Sequence, residues 1–146
     1  MLKLTNTKIS GNPQTVLLRY SLLMTKLVTA NKDSSRSGAI WLAKVAKKKK
    51  ALDIVILNIG KIAFFADYFV ILSGKNKKQN QAITLELMEE AKAHGLKLLG
   101  QEGYKEGSWI LLDFGSVIVH IFHELLRSFY DLEFLWSEAP SVKWTR

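Results

Sequence analysis

Two apolar segments joined by a tight turn, WILLD (109–113) and VIVHIF (117–122), constrain the fold more than any other stretch of this sequence. Both are rich in β-branched and aromatic residues, and Gly115 lies between them where the chain must reverse. The pattern predicts a β-hairpin. Because an isolated hairpin is marginal in water, other strands and helices must extend and cover it. The residues that follow, up to Trp136, predict a short aromatic helix.

Three further strands are predicted upstream of the hairpin. DIVILNI (53–59) and YFVIL (68–72) are apolar at successive positions, which is typical of central strands buried on both faces. LKLLGQE (96–102) predicts the third strand. Asp67 precedes the YFVIL segment, and its carboxylate is expected to cap a turn by accepting backbone N–H groups.

The helices are predicted from their caps and their apolar spacing. Asn76 and Gln79 fit a capping box at the start of a long helix, and Gly95 fits its end. A second helix is predicted from Ser37, and four lysines, Lys47, Lys48, Lys49 and Lys50, close it where they complement the helix dipole. Strands, one long helix and then a hairpin predict an α/β (α+β) fold, a mixed β-sheet of about five strands with helices packed on it.

Residues 1–36 are predicted to form a mostly disordered extension, with the folded domain at residues 37–146. The apolar run TVLLRYSLLMTKLVTA within the extension could form a short helix, but it is too short and too charged to span a bilayer. The scarcity of acids also fits an organelle transit peptide, and a start at Met24 is a third alternative.

Charge is distributed unevenly along the chain. Residues 1–50 hold 11 Lys or Arg and one acid, whereas residues 51–146 hold 10 bases and 12 acids. The overall charge of +8 suggests a nucleic-acid partner, but the basicity belongs to the N-terminal third. The slightly acidic remainder favours a basic protein partner over a phosphate backbone.

No pattern in the sequence indicates catalysis. The lack of cysteine excludes disulfides, thiolate metal sites and thiol nucleophiles. The predicted strands carry no pair of carboxylates one residue apart that could hold Mg²⁺ for nucleotide transfer. On a strand, His120 and His123 would point to opposite faces, so His120 is interpreted as a satisfied sheet histidine, not as a metal ligand. We therefore predict a non-enzymatic protein without cofactor or metal.

Several aromatic residues fall outside any clear core period, and Tyr and Trp are typical anchors of protein interfaces. Trp109 follows a polar loop and opens an apolar strand, which makes it the best interface candidate. Phe134 and Trp136 are interpreted as structural. The set comprises Tyr68, Tyr104, Trp109, Phe129, Tyr130, Phe134, Trp136 and Trp144.

The run EGSWILLDFGSVIVHIF and the later FYDLEFLW resemble the motifs of the Iojap family of ribosomal silencing factors, as do ALDIVILNI and ADYFVILSG upstream. The resemblance covers roughly residues 38–140. It implies a nucleotidyltransferase-like core without catalytic residues, in a protein that forms homodimers. It also implies binding to a basic large-subunit ribosomal protein, number fourteen, at the face where the small subunit docks. Such binding would block subunit joining and repress translation under nutrient limitation.

Residues that match the family motifs are assigned roles by this resemblance. Asp67, Gly74 and Gly115 are expected to be structural, and a second set is expected to face the partner. Two positions depart from the family pattern: Ser116 replaces an acid, and Phe64 and Phe65 replace small or polar residues. The partner-facing set is Tyr68, Glu102, Trp109, Asp113, His120 and Tyr130.

Two other functional classes stay open at this stage. One is a nucleotide-utilising enzyme on the same fold, and the other is an RNA-binding module that uses the basic N-terminal third. The lysines at 47–50 could also make a peripheral contact to ribosomal RNA phosphates. The expected location is the bacterial cytoplasm, or an organelle if residues 1–36 are a transit peptide.

Overall fold

The computed structural model describes residues 13–145, except for the side chains of residues 28–32. The chain divides into two compact units, Met1–Asp33 and Ser34–Arg146. The part of the predicted disordered extension that precedes residue 13 lies outside the described residues. The first helix, α1, spans Pro13–Lys48.

Helix α1 begins at Pro13 and not at Ser37, so residues 13–36 are helical where a mostly disordered extension was expected. Proline is well suited to the first turn of a helix because the N–H that it lacks would have no partner there. The polar run at 31–36 contains no proline or glycine, and its residues cost a helix only tenths of a kcal/mol each. The leucines between residues 13 and 27, such as Leu17 and Leu23, are exposed.

A five-stranded mixed sheet forms the core of the second unit, in the order β1-β2-β5-β4-β3. Strands β2 and β5 are parallel, and the other neighbouring pairs are antiparallel. The predicted hairpin of β4 and β5 and the predicted five-stranded sheet are confirmed. The strands are β1 (Leu52–Asn58), β2 (Tyr68–Gly74), β3 (Gly100–Glu102), β4 (Trp109–Asp113) and β5 (Val117–His123).

Strand β1 lies at an edge of the sheet, so its prediction as a central strand is wrong. The C-terminal segment runs along its free edge. The N–H of Asn58 donates to the carbonyl of Pro140 at 2.9 Å, and the N–H of Val142 donates to the carbonyl of Ile56 at 2.8 Å. Because this segment supplies partners where a neighbouring strand would, β1 can be as apolar as an inner strand.

Helix α2 (Lys77–Ala93) and the C-terminal part of α1 cover one face of the sheet. Ile83, Leu87 and Ala91 of α2 are buried, as predicted. The cap is confirmed, since Asn76 Oδ1 accepts the N–H of Gln79 at 2.9 Å. The return bond differs from a standard capping box, because Gln79 Oε1 accepts the N–H of Lys75 at 2.7 Å.

The segment after β5 forms two short helices instead of the one that was predicted. Helix α3 spans Glu124–Tyr130, and helix α4 spans Leu132–Leu135. Asp131 separates them with a left-handed backbone, φ 44°, and its side chain accepts the N–H of Phe134. An aspartate tolerates this conformation and can cap the next helix, so the chain turns sharply at this point.

Asp67 connects the turn after β1 to the β4–β5 turn through its backbone, not through its carboxylate as predicted. Its carbonyl accepts the N–H of Ile59 at 2.9 Å and that of Gly60 at 3.1 Å. Its own N–H donates to the carbonyl of Ser116 at 2.8 Å. These bonds hold the start of β2 against the hairpin turn.

Gly103 lies in the loop that leads into β4 and adopts φ 80°. A Cβ at this position would collide with the carbonyl oxygen of Trp109. We expect Gly103→Ala to lower the free energy of unfolding by about 3 kcal/mol, because steric overlap adds to the cost of the left-handed backbone. Urea denaturation measures the change.

Gly95→Ala is the matched control for this substitution. Gly95 has φ 82°, and apart from its chain neighbours no heavy atom of residues 13–145 lies within 4 Å of a Cβ at this position. Only the backbone cost remains, about 1–2 kcal/mol. Equal losses in the two variants would show that the close approach of Gly103 to Trp109 carries no cost.

Candidate functional site

The sheet register places most of the predicted partner-facing residues on one side of the molecule. In antiparallel pairs, Leu111 lies opposite both Glu102 and His120, and directly opposed residues point to the same face. Trp109 and Asp113 are two residues from Leu111 in either direction, so they share that face. We call it the aromatic face, the sheet surface formed by Phe69, Trp109, His120 and Phe122.

Tyr68 is the predicted site residue that the fold does not bring to this surface. It precedes Phe69 on β2, so its side chain points to the opposite face and packs in the core beneath α1 and α2. Only 6% of its surface is exposed. Tyr68 therefore has little area to offer a partner.

A continuous row of rings crosses the aromatic face. Tyr130 packs on Trp109 with ring centroids 4.7 Å apart, and Trp109 stacks on Phe122 at 4.9 Å. On the other side of His120, Phe69 contacts it edge-to-face at 4.7 Å. Aromatic pairs at these separations add stability beyond the area they bury. The face is therefore a preformed surface in which each ring is held by its neighbours.

The row continues into the loop before β2 and into the C-terminal helices. Trp136 contacts Phe69 at 5.3 Å and Phe65 at 6.0 Å, in both cases edge-to-face. Trp136 is half-buried, as expected of a structural residue, whereas the structural prediction for Phe134 is wrong because 76% of its surface is exposed. Helix α4 buries Leu132, and Phe134, two residues further on, does not share that face of the helix.

An exposed apolar rim surrounds the row. Phe129 is 81% exposed, and Phe65 and Leu135 are also exposed. The sequence indicated that Phe64 and Phe65 were unusual but did not decide between core and surface, and both are exposed. Phe69 is a site residue that the sequence does not predict, because only the sheet register brings it beside His120.

His120 forms the centre of the face and is joined to Trp109 by a hydrogen bond. The indole Nε1–H of Trp109 donates to His120 Nδ1 at 3.2 Å. Only 5% of His120 is exposed, and burial lowers the pKa of its imidazole to about 4. The ring is therefore neutral at physiological pH and carries its proton on Nε2.

The interpretation of His120 as a fully satisfied histidine is corrected by its other nitrogen. Nε2 is buried and has no hydrogen-bond partner among residues 13–145. An unpaired buried N–H costs roughly 1–3 kcal/mol. The bond at Nδ1 is therefore the polar contact that fixes this ring within the aromatic cluster.

Acidic residues lie around the face and play unequal roles. Asp113 Oδ1 accepts the N–H of Gly115 at 2.7 Å, so this carboxylate stabilises the hairpin turn. Glu102 is exposed. Arg127 donates from Nε to Glu133 Oε1 at 2.8 Å and from a terminal nitrogen to Ser73 Oγ at 2.9 Å. This guanidinium ties α3 and α4 to the end of β2.

A polar cavity of about 580 Å³ lies at this end of the sheet. Most of its ionisable lining is acidic, which would favour a basic side chain over a phosphate group. Within the described part of the chain, no group of three His, Cys, Asp or Glu residues is placed to hold a metal ion. The lining residues are Asp53, Ser73, Glu124, Arg127, Ser128, Asp131 and Glu133.

The four lysines at the end of α1 are exposed. Lys49 pairs with Glu86 at 3.7 Å, and Lys47 lies over the ring of Trp144 at 5.8 Å. Both contacts are at the surface and contribute little. Between residues 13 and 145, no helix is long and apolar enough to cross a membrane.

The family model described as "ribosomal silencing factor during starvation" matches residues 32–146. The chain belongs to the ribosomal silencing factor family. The resemblance drawn from the hairpin and its flanking motifs is thereby confirmed. The match begins close to Ser34, the first residue of the second compact unit.

Individual relatives of this silencing factor come from bacteria and from plants. A ribosomal silencing factor from Bacillus subtilis is 43% identical over 98 residues, which cover 67% of this chain and 83% of the relative. One from Halalkalibacterium halodurans is 44% identical over 95 residues, covering 65% and 81%. The chloroplastic Iojap protein of Zea mays is 35% identical over 107 residues, covering 73% of this chain and 46% of the maize protein.

Solved structures of similar proteins share the fold of this family member. A crystal structure of a Bacillus halodurans protein superposes with a TM-score of 0.63 at 40% identity, covering 70% of this chain and 94% of that one. A crystal structure of a Chromobacterium violaceum protein gives a TM-score of 0.66 at 28% identity, covering 72% and 85%. The predicted fold class is confirmed.

Proposed function

We propose that this silencing factor binds the large ribosomal subunit through the basic ribosomal protein number fourteen and thereby blocks joining of the small subunit. The observation that carries the proposal is the aromatic face with its exposed rim. Trp109 and Tyr130 are held by neighbouring rings but retain accessible surface. Rigid, partly exposed aromatic residues are the side chains that most often dominate the energy of protein interfaces.

The charge of the folded part fits such a partner. Residues 51–146 carry 12 acids and 10 bases, and Glu102, Glu124 and Asp131 lie exposed at or near the face. A basic protein surface would be attracted to this rim, and complementary charge raises association rate and specificity. The aromatic centre would supply most of the affinity, and the acidic rim would orient the partner.

Repression by this mechanism requires only that the protein occupies its site on the large ribosomal subunit. It requires no catalysed reaction. A factor that covers the surface on which the small subunit docks prevents joining for as long as it stays bound and thereby lowers translation. The description of the matched family, which names starvation, supports nutrient limitation as the condition for this repression. This proposal is preferred to nucleotide transfer because none of the five described strands carries two carboxylates one residue apart, the arrangement that would hold Mg²⁺. No cofactor or metal is part of the proposal.

Co-sedimentation with isolated ribosomal subunits at two salt concentrations tests the proposal. We expect the protein to pellet with the large subunit and not with the small one, and to remain bound at the higher salt concentration. Retention follows because a protein contact centred on rings is less screened than a phosphate contact. Binding to neither subunit, or equal binding to both, would contradict the proposal.

A homodimer and a bacterial cytoplasmic location complete the proposal. Phe64 and Phe65 form an exposed apolar pair that a second copy could cover. Two bacterial relatives share 43–44% identity with this chain and three others share 31–37%, against 30–35% for the plant organelle proteins; on this basis we propose a bacterial host. Analytical ultracentrifugation of wild type and Phe64→Ser would test the dimer, because loss of the apolar pair should shift the protein towards monomer.

The lysines at 47–50 are proposed to make a peripheral contact to ribosomal RNA phosphates. Replacing all four by alanine is expected to weaken large-subunit binding at low salt. The slope of log affinity against log salt should become shallower by about one for each phosphate that a lysine neutralises in the wild-type complex. Filter binding over a salt series measures both quantities.

Lys75, Lys77 and Lys78 provide the control for this variant. They are exposed lysines near the start of α2, the other long helix that covers the sheet. Their replacement by alanine lowers the net charge without touching the proposed RNA contact, so the salt slope should change little. The same slope in wild type and in the 47–50 variant would exclude the RNA contact.

A further inference from the structure

We propose that His120 is a positioning residue, which fixes the indole of Trp109 in the orientation that binds the ribosomal partner without touching that partner itself. The inference rests on the proposed function. It differs from the sequence prediction, in which His120 faces the partner, because only 5% of His120 is exposed.

The geometry of the pair carries the inference. Trp109 opens β4, and its directly paired residue on β5 is Phe122, on which its ring stacks at 4.9 Å. Packing on Phe122 and Tyr130 limits how far the indole can move away from the sheet, but it does not decide which edge of the ring points to His120. The bond from Nε1–H to His120 Nδ1 at 3.2 Å selects that edge.

His120 can perform this task because it is itself immobile. Phe69 packs edge-to-face on its ring at 4.7 Å, and Phe122 lies nearly parallel to it with centroids 6.1 Å apart. A buried acceptor held in this way presents its lone pair in one direction. An interface residue whose rotamer is fixed before binding loses less entropy when the partner arrives.

Two substitutions separate the acceptor from the packing. Asparagine has an oxygen as many bonds from Cα as Nδ1 of histidine, so His120→Asn keeps an acceptor for the indole but leaves space in the cluster. His120→Phe fills the space and removes the buried, unpaired Nε2–H, but offers no acceptor. If the hydrogen bond positions the indole, His120→Phe should be the more stable variant and His120→Asn should be the variant that binds more tightly.

The experiment measures large-subunit affinity, thermal stability and the hydrogen exchange of the Trp109 indole N–H by NMR, assigned with Trp109→Phe. We expect His120→Phe to be no less stable than wild type, to bind about five-fold more weakly, and to exchange its indole N–H faster. His120→Asn should be less stable but should bind within about two-fold of wild type. In a Trp109→Phe background, His120→Phe should cause no further loss of affinity.

Two outcomes would overturn the inference. Wild-type affinity in His120→Phe would show that the bond does not position the indole for binding. If the loss of binding free energy in His120→Asn equals its loss of unfolding free energy, His120 has only a structural role. Failure of the wild-type protein to bind the large subunit would instead contradict the proposed function, and the indole exchange rates, measured in the free protein, would still report whether His120 holds Trp109.

Discussion

Trp109→Ala is expected to weaken binding to the large ribosomal subunit by about 2 kcal/mol or more, roughly 30-fold, while the protein remains folded. The indole is half-buried in the aromatic face, where it contacts Phe122, Tyr130 and His120. Truncation removes the proposed anchor and unpacks its neighbours. The free energy of unfolding should therefore also fall, by roughly 1–3 kcal/mol. Titration of labelled large subunits measures the affinity.

Trp41→Ala is the control that shows whether the affinity lost in Trp109→Ala comes from the missing interface residue or from reduced stability. Trp41 is also half-buried, but it lies on α1 against the opposite core cluster and stacks on His94 at 4.1 Å. We expect Trp41→Ala to lower stability to a similar extent and to leave subunit binding within about two-fold of wild type. If both variants lose the same affinity, Trp109 contributes through folding and not through direct binding.

The second large effect is a loss of stability on mild acidification. Burial lowers the pKa of His120 from 6.5 to about 4, so the unfolded chain binds a proton at this site at pH values where the folded protein does not. The stabilising contribution is fully present above pH 6.5 and is lost as pH falls towards 4. The expected loss at His120 approaches about 3 kcal/mol, since each pKa unit corresponds to about 1.4 kcal/mol.

Urea denaturation of wild type and His120→Phe across pH 4 to 8 tests this expectation. All other ionisable groups are common to the two proteins, so the difference between the two curves isolates His120. That difference should be constant above pH 7 and should shift in favour of the variant below pH 6.5. Parallel curves over the whole range would show that His120 has an ordinary pKa in the folded protein.

Local signals predicted the elements that local interactions determine. The hairpin was found because β-branched residues and Gly115 occupy the positions that a reversal between two strands requires. The start of α2 was found because Asn76 can accept a backbone N–H three residues ahead. In each case the atoms that form the structure are near one another in sequence.

The wrong predictions concern β1, whose environment is determined by distant residues, and α1, whose length depends on the lack of helix-breaking residues. Strand β1 resembles a central strand because the segment around Ser141, more than eighty residues later, pairs with its free edge. The start of α1 at Pro13 is not predicted because residues 13–36 lack strict hydrophobic periodicity, although no proline or glycine between Pro13 and Ser37 interrupts a helix. Neither the edge position of β1 nor the length of α1 can be predicted from a segment of ten residues.

The fold brings together some of the candidate site residues and separates others. Trp109, Glu102 and Asp113 were assigned from motif resemblance, and the register places them on one face. Tyr68 was assigned by the same means, but side chains alternate along β2, so Tyr68 points to the opposite face of the sheet. Phe69 and Trp136 extend the row of rings because of the way in which the C-terminal helices fold back. No local sequence pattern predicts this packing.

The most direct test of the central claim is a subunit-joining assay, in which light scattering follows the association of purified large and small subunits. Large subunits incubated first with excess wild-type protein should fail to associate, and large subunits incubated with Trp109→Ala at the same concentration should associate nearly normally. Undiminished association in the presence of the wild-type protein, once its binding to the large subunit has been verified, would contradict the account.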